Sequence, residues 1–323
     1  MPVTPASEQP DQPEEAGPPA QRAAGPGGPV ARRGGAGRPA LAPPRLIATD
    51  LDGTLLRDDQ TISERTVAAL AAAEQAGIAV FFVTGRPARW MDIVSDHVPG
   101  HGLAICANGA IVADLRNGKR LVEVRPLPRA DALAVVDALR AVAPGTSFAV
   151  ERSTGIYYEP EYPPFHLDPG AVIAPVEKLL ADDAEYADKP VVKLLAHHRE
   201  LAPDAFLDMA RRATGGRADV TRSSPTALLE ISGAGVSKAS TLARCCALRG
   251  IGAEEVVAFG DMPNDLEMLS WAGTSYAMAN AHPDVLAATT HRTAGNNEDG
   301  VAIVVERILH AVRSGPGAGG WER

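Results

Sequence analysis

Residues 45–54 read Arg45-Leu46-Ile47-Ala48-Thr49-Asp50-Leu51-Asp52-Gly53-Thr54, an apolar run that leads into two carboxylates, a glycine and a threonine. The apolar run predicts a buried β-strand that ends at Asp50, and open α/β sheets bind their ligands at this end of their strands. Next to a divalent cation, a carboxylate such as Asp50 can attack phosphorus. A second acid two residues later, Asp52, can protonate the departing alkoxide and then deprotonate water. Because turns rich in Asp and Gly are also common after strands, this stretch alone leaves the function open.

A second polar stretch follows the next apolar run. Ile78–Val83 has no polar face, which predicts a strand buried on both sides, and Thr84, Gly85 and Arg86 come directly after it. A hydroxyl, a glycine backbone and a helix starting near Pro87 are suited to binding phosphoryl oxygens. A Thr-Gly turn after a strand is by itself more often only a turn without a ligand. Gly53 likewise leaves room for a phosphate against backbone N–H groups. These residues are candidates for substrate binding.

Two further stretches contain charges that suit the same site. Lys238 lies at the predicted start of a helix, where its ammonium can stabilise Asp50 and a phosphoryl group, although a lone lysine is usually a surface charge. The apolar run Val256–Phe259 is followed by Gly260-Asp261-Met262-Pro263-Asn264-Asp265. Asp261 and Asp265 can complete a magnesium site, because Mg²⁺ prefers oxygen ligands. The alternative for both acids is a favourable position at the start of a helix.

The order of the predicted elements indicates an α/β fold with a Rossmann-like parallel sheet. Thr61 and Glu64 have capping-box spacing before a predicted helix that Gly77 closes, and Asn108-Gly109 predicts a hairpin. Between residues 127 and 225 the pattern changes to a mixture of helices and short strands, which predicts an inserted α+β domain. The core then comprises residues 45–126 and 226–313. Segments 1–44 and 314–323 are rich in Pro, Gly and Ala or in Gly, and we predict that they are disordered.

Composition restricts the partners and the compartment. The net charge of -9 and the pI of about 5.4 disfavour nucleic acid, so we expect a small ligand and a monomer or weak homo-oligomer. No apolar run has the length of a membrane span, and the N-terminus lacks the apolar region of a secretory signal. The three cysteines, two of them adjacent, favour a reducing compartment. We therefore expect a cytoplasmic protein without a membrane partner.

The four strand-end stretches, in this order, resemble the haloacid dehalogenase (HAD) superfamily of phosphatases over residues 45–313. The resemblance is to members with a large α+β cap, called Cof-type or class IIB. It implies an aspartyl-phosphate mechanism with Asp50 as the nucleophile and Asp52 as the general acid/base. Thr84 and Lys238 would stabilise the transferred phosphoryl group. The implied substrates are small phosphorylated metabolites such as sugar phosphates, nucleotides or phosphorylated cofactors.

The resemblance also implies a magnesium site. The ligands would be Asp50, the backbone carbonyl of Asp52 and Asp261, with Asp265 in the outer shell or as a further ligand. Asn264 would bind the phosphate or orient the lysine. Further matches are Asn108-Gly109-Ala110, Ala277-Met278-Ala279-Asn280-Ala281 and Asn296-Asn297-Glu298-Asp299-Gly300-Val301. The one departure is Ala239, where relatives often have glycine, and a helix tolerates alanine better.

The sequence does not specify the substrate, which the cap is expected to select. Candidate contacts in the cap are Tyr157, Tyr158, His166, His197 and His198, each of which can equally be a core or surface residue of the cap.

Two other activities use similar residues. A phosphomutase would use Asp50 and Asp52 but return the phosphoryl group to a sugar. A non-catalytic phospho-acceptor such as a receiver domain also gathers acids, a threonine and a lysine, but it is short and does not need Asp52. The presence of all four motifs favours the hydrolase.

Overall fold

The computed structural model describes residues 43–96, 102–163, 171–224, 226–289 and 291–314. The predicted disordered segments 1–44 and 314–323 lie outside these ranges apart from their innermost residues, and His166 also lies outside them. The first part of the core consists of β1 (Leu46–Thr49), α1 (Glu64–Gln75), β2 (Ala79–Val83), α2 (Asp92–Ser95), β3 (Leu103–Cys106), β4 (Ile111–Asp114) and β5 (Arg120–Val124).

An inserted domain, here called the cap, follows β5. Its elements are α3 (Arg129–Val142), β6 (Ser147–Arg152), β7 (Ile156–Tyr158), α4 (Val176–Leu179), β8 (Val191–His197), α5 (Pro203–Thr214), β9 (Ala218–Thr221) and β10 (Leu228–Gly233). The core resumes with α6 (Lys238–Ala247), β11 (Val256–Gly260), α7 (Leu266–Trp271), β12 (Thr274–Ala277), α8 (Pro283–Ala288), β13 (His291–Arg292) and α9 (Gly300–Ser314).

The core is an eight-stranded sheet in the order β13-β12-β11-β1-β2-β3-β4-β5. The strands from β13 to β3 are parallel, and β4 and β5 add an antiparallel edge. All four residues of β1 are buried, as expected for a central strand covered by helices on both faces. The predicted α/β fold with a Rossmann-like parallel core is therefore confirmed.

The cap has its own antiparallel sheet, in the order β7-β6-β8-β10-β9, and its own hydrophobic core. Strand β10 belongs to this sheet because it pairs with β8 and β9. The predicted boundary at residue 226, where the chain returns to the core, is therefore too early. Because β10 is part of the cap sheet, the core resumes only after Gly233. The two connections between core and cap run close together here, because a Cβ atom on Gly233 would lie 2.8 Å from the carbonyl oxygen of Pro126.

One local prediction is wrong. Helix α1 is capped by Ser63, whose side chain accepts a hydrogen bond from the backbone N–H of Thr66, and not by Thr61, which donates its hydroxyl to Asp59. The helix start predicted near Pro87 is present as a 3₁₀ turn (Ala88–Trp90), which is followed by the four-residue α2. The predicted hairpin at Asn108-Gly109 is confirmed, because β3 and β4 pair antiparallel around it.

The helices in the described part of the chain are all too short or too polar to cross a membrane. The three cysteines are buried and free.

Candidate active site

The three central strands bring the predicted site residues to one edge of the sheet. Strand β1 lies between β2 and β11, and all three run parallel. Asp50, Thr84 and Asp261 each follow the last residue of one of these strands, and all three are buried. The convergence that the sequence predicts for these residues is therefore present in the fold.

Lys238 is buried between two carboxylates. Its ammonium donates to Oδ1 of Asp50 and to Oδ1 of Asp265, each at 2.7 Å, and only 1% of its side chain is exposed. Burial lowers the pKa of Lys238, but the charges of Asp265 and Asp50 outweigh it and raise the pKa above its usual value. The lysine therefore carries a positive charge next to the predicted nucleophile and is not a surface charge.

The carboxylates outnumber the lysine at this site. Oxygens of Asp50, Asp261 and Asp265 all lie within 4.8 Å of one another, and one ammonium faces them. Burial, followed by the neighbouring carboxylates, raises the pKa of Asp50 well above its usual value despite the ion pair with Lys238. The same two causes raise the pKa of Asp261 to about 7. Three buried acids with one lysine leave two negative charges to balance, which fits a divalent cation with oxygen ligands.

The loop after Asp50 is fitted closely against Asp261. Gly53 has a φ of +71°, and a Cβ atom there would lie 2.2 Å from Oδ2 of Asp261, so the position requires glycine. The Thr54 hydroxyl donates to Oδ1 of Asp261 at 2.9 Å. Asn280 fixes the other side by donating to the Gly53 carbonyl at 2.8 Å. Thr54 and Asn280 thus hold the loop at the carboxylates.

The start of helix α6 is positioned by the β3–β4 hairpin. Gly109, with a φ of +101°, approaches the Ser237 carbonyl so closely that a Cβ atom would lie 2.2 Å from its oxygen. The Thr241 hydroxyl donates to the Gly109 carbonyl at 2.8 Å. Ser237 and Ser240 form a capping box at the same helix end. The hairpin and the capping-box residues Ser237 and Ser240 together fix the position of Lys238 at the start of α6.

The loop after β2 places Arg86 against the second acid. Arg86 donates to both oxygens of Asp52, through Nε at 2.7 Å and Nη2 at 2.5 Å. Thr84 is fully buried, and its hydroxyl accepts from the backbone N–H of Arg86 at 3.0 Å. Asp52 occupies Nε and Nη2 of Arg86, and the binding of a phosphoryl group by Arg86 stays a prediction.

Asn264 is joined to the hairpin rather than to the lysine. Its Nδ2 donates to Oδ1 of Asn108 at 3.2 Å, and its Oδ1 is buried without a hydrogen-bond partner among the described residues. This oxygen can only accept a hydrogen bond, so it suits a ligand group that carries a donor. The role of Asn264 in phosphate binding remains a prediction.

The haloacid dehalogenase-like hydrolase family matches residues 47–305, which is most of the chain. The chain belongs to this family. It is 31% identical over 260 residues to a 5-amino-6-(5-phospho-D-ribitylamino)uracil phosphatase of Bacillus subtilis, a match that covers 80% of this chain and 95% of the relative.

A second relative, the pyridoxal phosphate phosphatase of Escherichia coli, is 29% identical over 276 residues, covering 80% of this chain and 96% of its own. A solved structure of a HAD subclass IIB sugar phosphatase superposes with a TM-score of 0.66 at 22% identity and covers 81% of this chain and 98% of its own. The fold is thus that of HAD enzymes with a large cap. Family and relatives together identify the chain as a phosphoric monoester hydrolase.

In this HAD hydrolase a cavity of about 230 Å³ lies between the cap and the predicted catalytic carboxylates Asp50 and Asp52. Asp50, Asp52 and Arg86 line it from the core, as predicted, together with Gly85 and Asn264. Of the cap residues suggested by the sequence, Tyr158 lines the cavity. The cap also contributes residues that the sequence analysis missed: Glu151, Ile156, Tyr162, Lys193, Leu195, Ser223, Leu228 and Glu230.

The other cap residues suggested by the sequence have contacts elsewhere. Tyr157 stacks on Tyr186, with ring centroids 4.1 Å apart, and His198 contacts the Pro144 carbonyl. His197 packs edge-on against Tyr162, which places it next to a lining residue.

Proposed function

We propose that this chain is a magnesium-dependent phosphatase of small phosphorylated metabolites, with Asp50 as the residue that becomes phosphorylated. The observation that supports the proposal is the buried group of Asp50, Asp261 and Asp265 around Lys238. Esters resembling those named for the relatives, a phosphoribitylaminouracil and pyridoxal phosphate, are the first substrates to examine.

Mg²⁺ would be held by Asp50, Asp261, Asp265 and the backbone carbonyl of Asp52, and when bound it supplies positive charge that offsets the negative charge of the phosphoryl group. Lys238 adds a second positive charge beside Asp50. It stabilises the Asp50 carboxylate and the charge that builds up on the phosphoryl oxygens.

In the first step an Asp50 oxygen forms a bond to phosphorus while the bond from phosphorus to the substrate's alkoxide oxygen breaks. Asp52 gives its proton to that oxygen, so the alcohol leaves neutral. In the second step Asp52 takes a proton from water as the water oxygen attacks phosphorus. The bond from phosphorus to Asp50 breaks, which releases inorganic phosphate and restores both acids.

Arg86 orients Asp52 in the structure through two hydrogen bonds. A bidentate pair of this kind fixes both the position and the plane of a carboxylate. We propose that an incoming phosphoryl group draws Arg86 away and frees Asp52 for proton transfer. Thr84 and Gly85, in the same loop, would then face the phosphoryl oxygens.

Phosphate release from a panel of sugar phosphates, nucleotides and phosphorylated cofactors tests the proposal. Wild type is compared with Asp50→Asn and with Asp137→Asn, an exposed acid of the cap, each with Mg²⁺ and with EDTA. We expect release that requires Mg²⁺ and is lost in Asp50→Asn alone, and a phosphoprotein that appears after acid quenching of the wild type. Isomerised sugar phosphate without free phosphate would indicate a mutase, and activity in Asp50→Asn would contradict the proposed nucleophile.

A further inference from the structure

The ceiling of the cavity contains buried charges that phosphoryl transfer does not need. Glu151, Lys193 and Glu230 line it from the cap and are 2%, 4% and 6% exposed. We call these three residues the roof cluster. Burial of charged groups is costly, so a buried cluster that faces a cavity is a candidate for ligand recognition.

Strand pairing in the cap places the three charges on one face of its sheet. Glu151 on β6 lies opposite Lys193 on β8, and Glu230 on β10 lies opposite Leu195, two residues further along β8. Because side chains alternate along a strand, all four residues point to the same side. The residues that follow Lys193 and Glu230 in their strands, Leu194 and Ile231, point to the other side of the sheet and belong to the cap's hydrophobic core.

Both cations among the described residues that line the cavity are already engaged by carboxylates. The Lys193 ammonium donates to the Gly85 carbonyl at 2.8 Å and lies 3.3 Å from Glu151 and 3.6 Å from Glu230. Arg86 is bound to Asp52. A negatively charged group on the leaving group would therefore have to break an ion pair to find a positive partner.

The charges of the roof cluster are compensated within the cavity wall. Arg89 donates to Glu151 at 2.9 Å, so Lys193 and Arg89 together balance the two glutamates. A charged group brought into the cavity would therefore have to compete with these buried ion pairs.

Neutral groups are better suited to the same space. Carboxylate oxygens accept hydrogen bonds from hydroxyl and amine donors, and Glu230 already accepts 2.6 Å from the Ser223 hydroxyl. Ile156, Leu195 and Leu228 add apolar surface beside the charges. Such a wall accommodates carbon skeletons or rings that carry hydroxyl groups.

We propose that the roof cluster limits this enzyme to phosphate monoesters whose leaving group is uncharged and carries hydrogen-bond donors. Esters with a carboxylate or a second phosphate on the leaving group are disfavoured. This inference rests on the proposed phosphatase function and specifies its substrate class. Glu151 and Glu230 act here as specificity-determining residues.

Matched pairs of esters test the inference in the wild type. Glycerol 3-phosphate and 3-phosphoglycerate differ only in a hydroxymethyl or a carboxylate group, and the open-chain esters glucitol 6-phosphate and 6-phosphogluconate form a second pair with the same difference. We expect kcat/KM to favour the neutral member of each pair by at least about tenfold, because a charged group would have to disrupt a buried ion pair of the roof cluster to find a partner. Equal kcat/KM values within the pairs would overturn the inference and leave the phosphatase function intact. A complete lack of phosphate release would overturn both.

Glu230→Gln and Glu151→Gln then test whether the roof cluster is responsible. Glutamine keeps the length of the side chain and removes the charge. Its carbonyl can still accept from Ser223 or Asn108 in the Glu230 variant and from Arg89 in the Glu151 variant. We expect each variant to lower the ratio of kcat/KM for the neutral ester to that for the charged ester by about threefold or more, mainly by improving kcat/KM for the charged ester. Glu200→Gln, the same change at an exposed cap residue outside the cavity, should leave the ratio unchanged. An unchanged ratio in either folded roof variant would overturn the assignment to the roof cluster.

Discussion

Asp261→Asn is expected to stabilise the metal-free protein while it impairs magnesium binding. Asp261 lies close to Asp50 and Asp265, and burial with this crowding raises its pKa to about 7 from the usual 3.8. A folded-state pKa above the unfolded value means that ionisation of Asp261 destabilises the fold. Asparagine removes the charge and keeps an oxygen that can accept the hydrogen bond from Thr54.

The size and the sign of the effect follow from these two pKa values. At ~1.4 kcal/mol for each pKa unit, the difference corresponds to about 4 kcal/mol of lost stability when Asp261 is fully ionised. The loss is absent below pH 3.8, grows as the pH rises, and is complete above about pH 7. Local relaxation of the metal-free site reduces it, so we expect Asp261→Asn to gain about 2 kcal/mol at alkaline pH.

Thermal unfolding in EDTA measures this gain. For a chain of this size about 2 kcal/mol corresponds to a rise in Tm of roughly 3–4 °C, and the gain should be smaller in acid than in alkaline buffer. Excess Mg²⁺ should reverse the order of the two proteins, because it stabilises the wild type by binding to the folded state. Asp137→Asn, at an exposed position in the cap, provides the control for loss of one acid. A lower Tm for Asp261→Asn in EDTA at alkaline pH would refute the reasoning.

Two glycine substitutions test the close approaches at the site. Gly53→Ala should raise the Mg²⁺ concentration needed for activity, because its Cβ atom would lie 2.2 Å from Asp261. The control is Gly118→Ala, which has a similar φ of +65° and no atom within 4 Å of the new Cβ atom. Its Mg²⁺ requirement should equal that of the wild type. Gly109→Ala should lower kcat by about tenfold or more through displacement of the start of α6, measured by steady-state phosphate release. Gly250→Ala, with a φ of +60° and open space, should keep the wild-type kcat, and equal kcat values for the two alanine variants would contradict the positioning role of the hairpin.

The strand-end residues were predictable because their signals are local in the sequence. Each of β1, β2 and β11 is an apolar run followed at once by polar residues and a glycine, so the strand and the position of its end could both be read. Parallel strands then bring such ends together without further information. The ion pair between Arg86 and Asp52 could not be predicted, because it depends on loop geometry between residues 34 positions apart.

The roof cluster was missed although the sequence contains a signal for it. Lys193 stands within Val191-Val192-Lys193-Leu194-Leu195 and Glu230 within Leu228-Leu229-Glu230-Ile231, each a charge inside an apolar strand. A charge in such a position must have a buried partner or face a cavity. Its partner depends on the register of distant strands, which periodicity does not provide. The same long-range pairing decides that β10 belongs to the cap and that the core resumes only after Gly233.

The position of β1 at the centre of the core sheet also affects how the chain folds during synthesis. Leu46 pairs with Val256, 210 residues later, so one edge of β1 lacks its neighbour until most of the chain has left the ribosome. All five strands of the cap sheet, by contrast, lie between Ser147 and Gly233 and are made before β11. Because unpaired edges of buried strands promote association, we expect chains that terminate before β11 to aggregate even when their caps are complete.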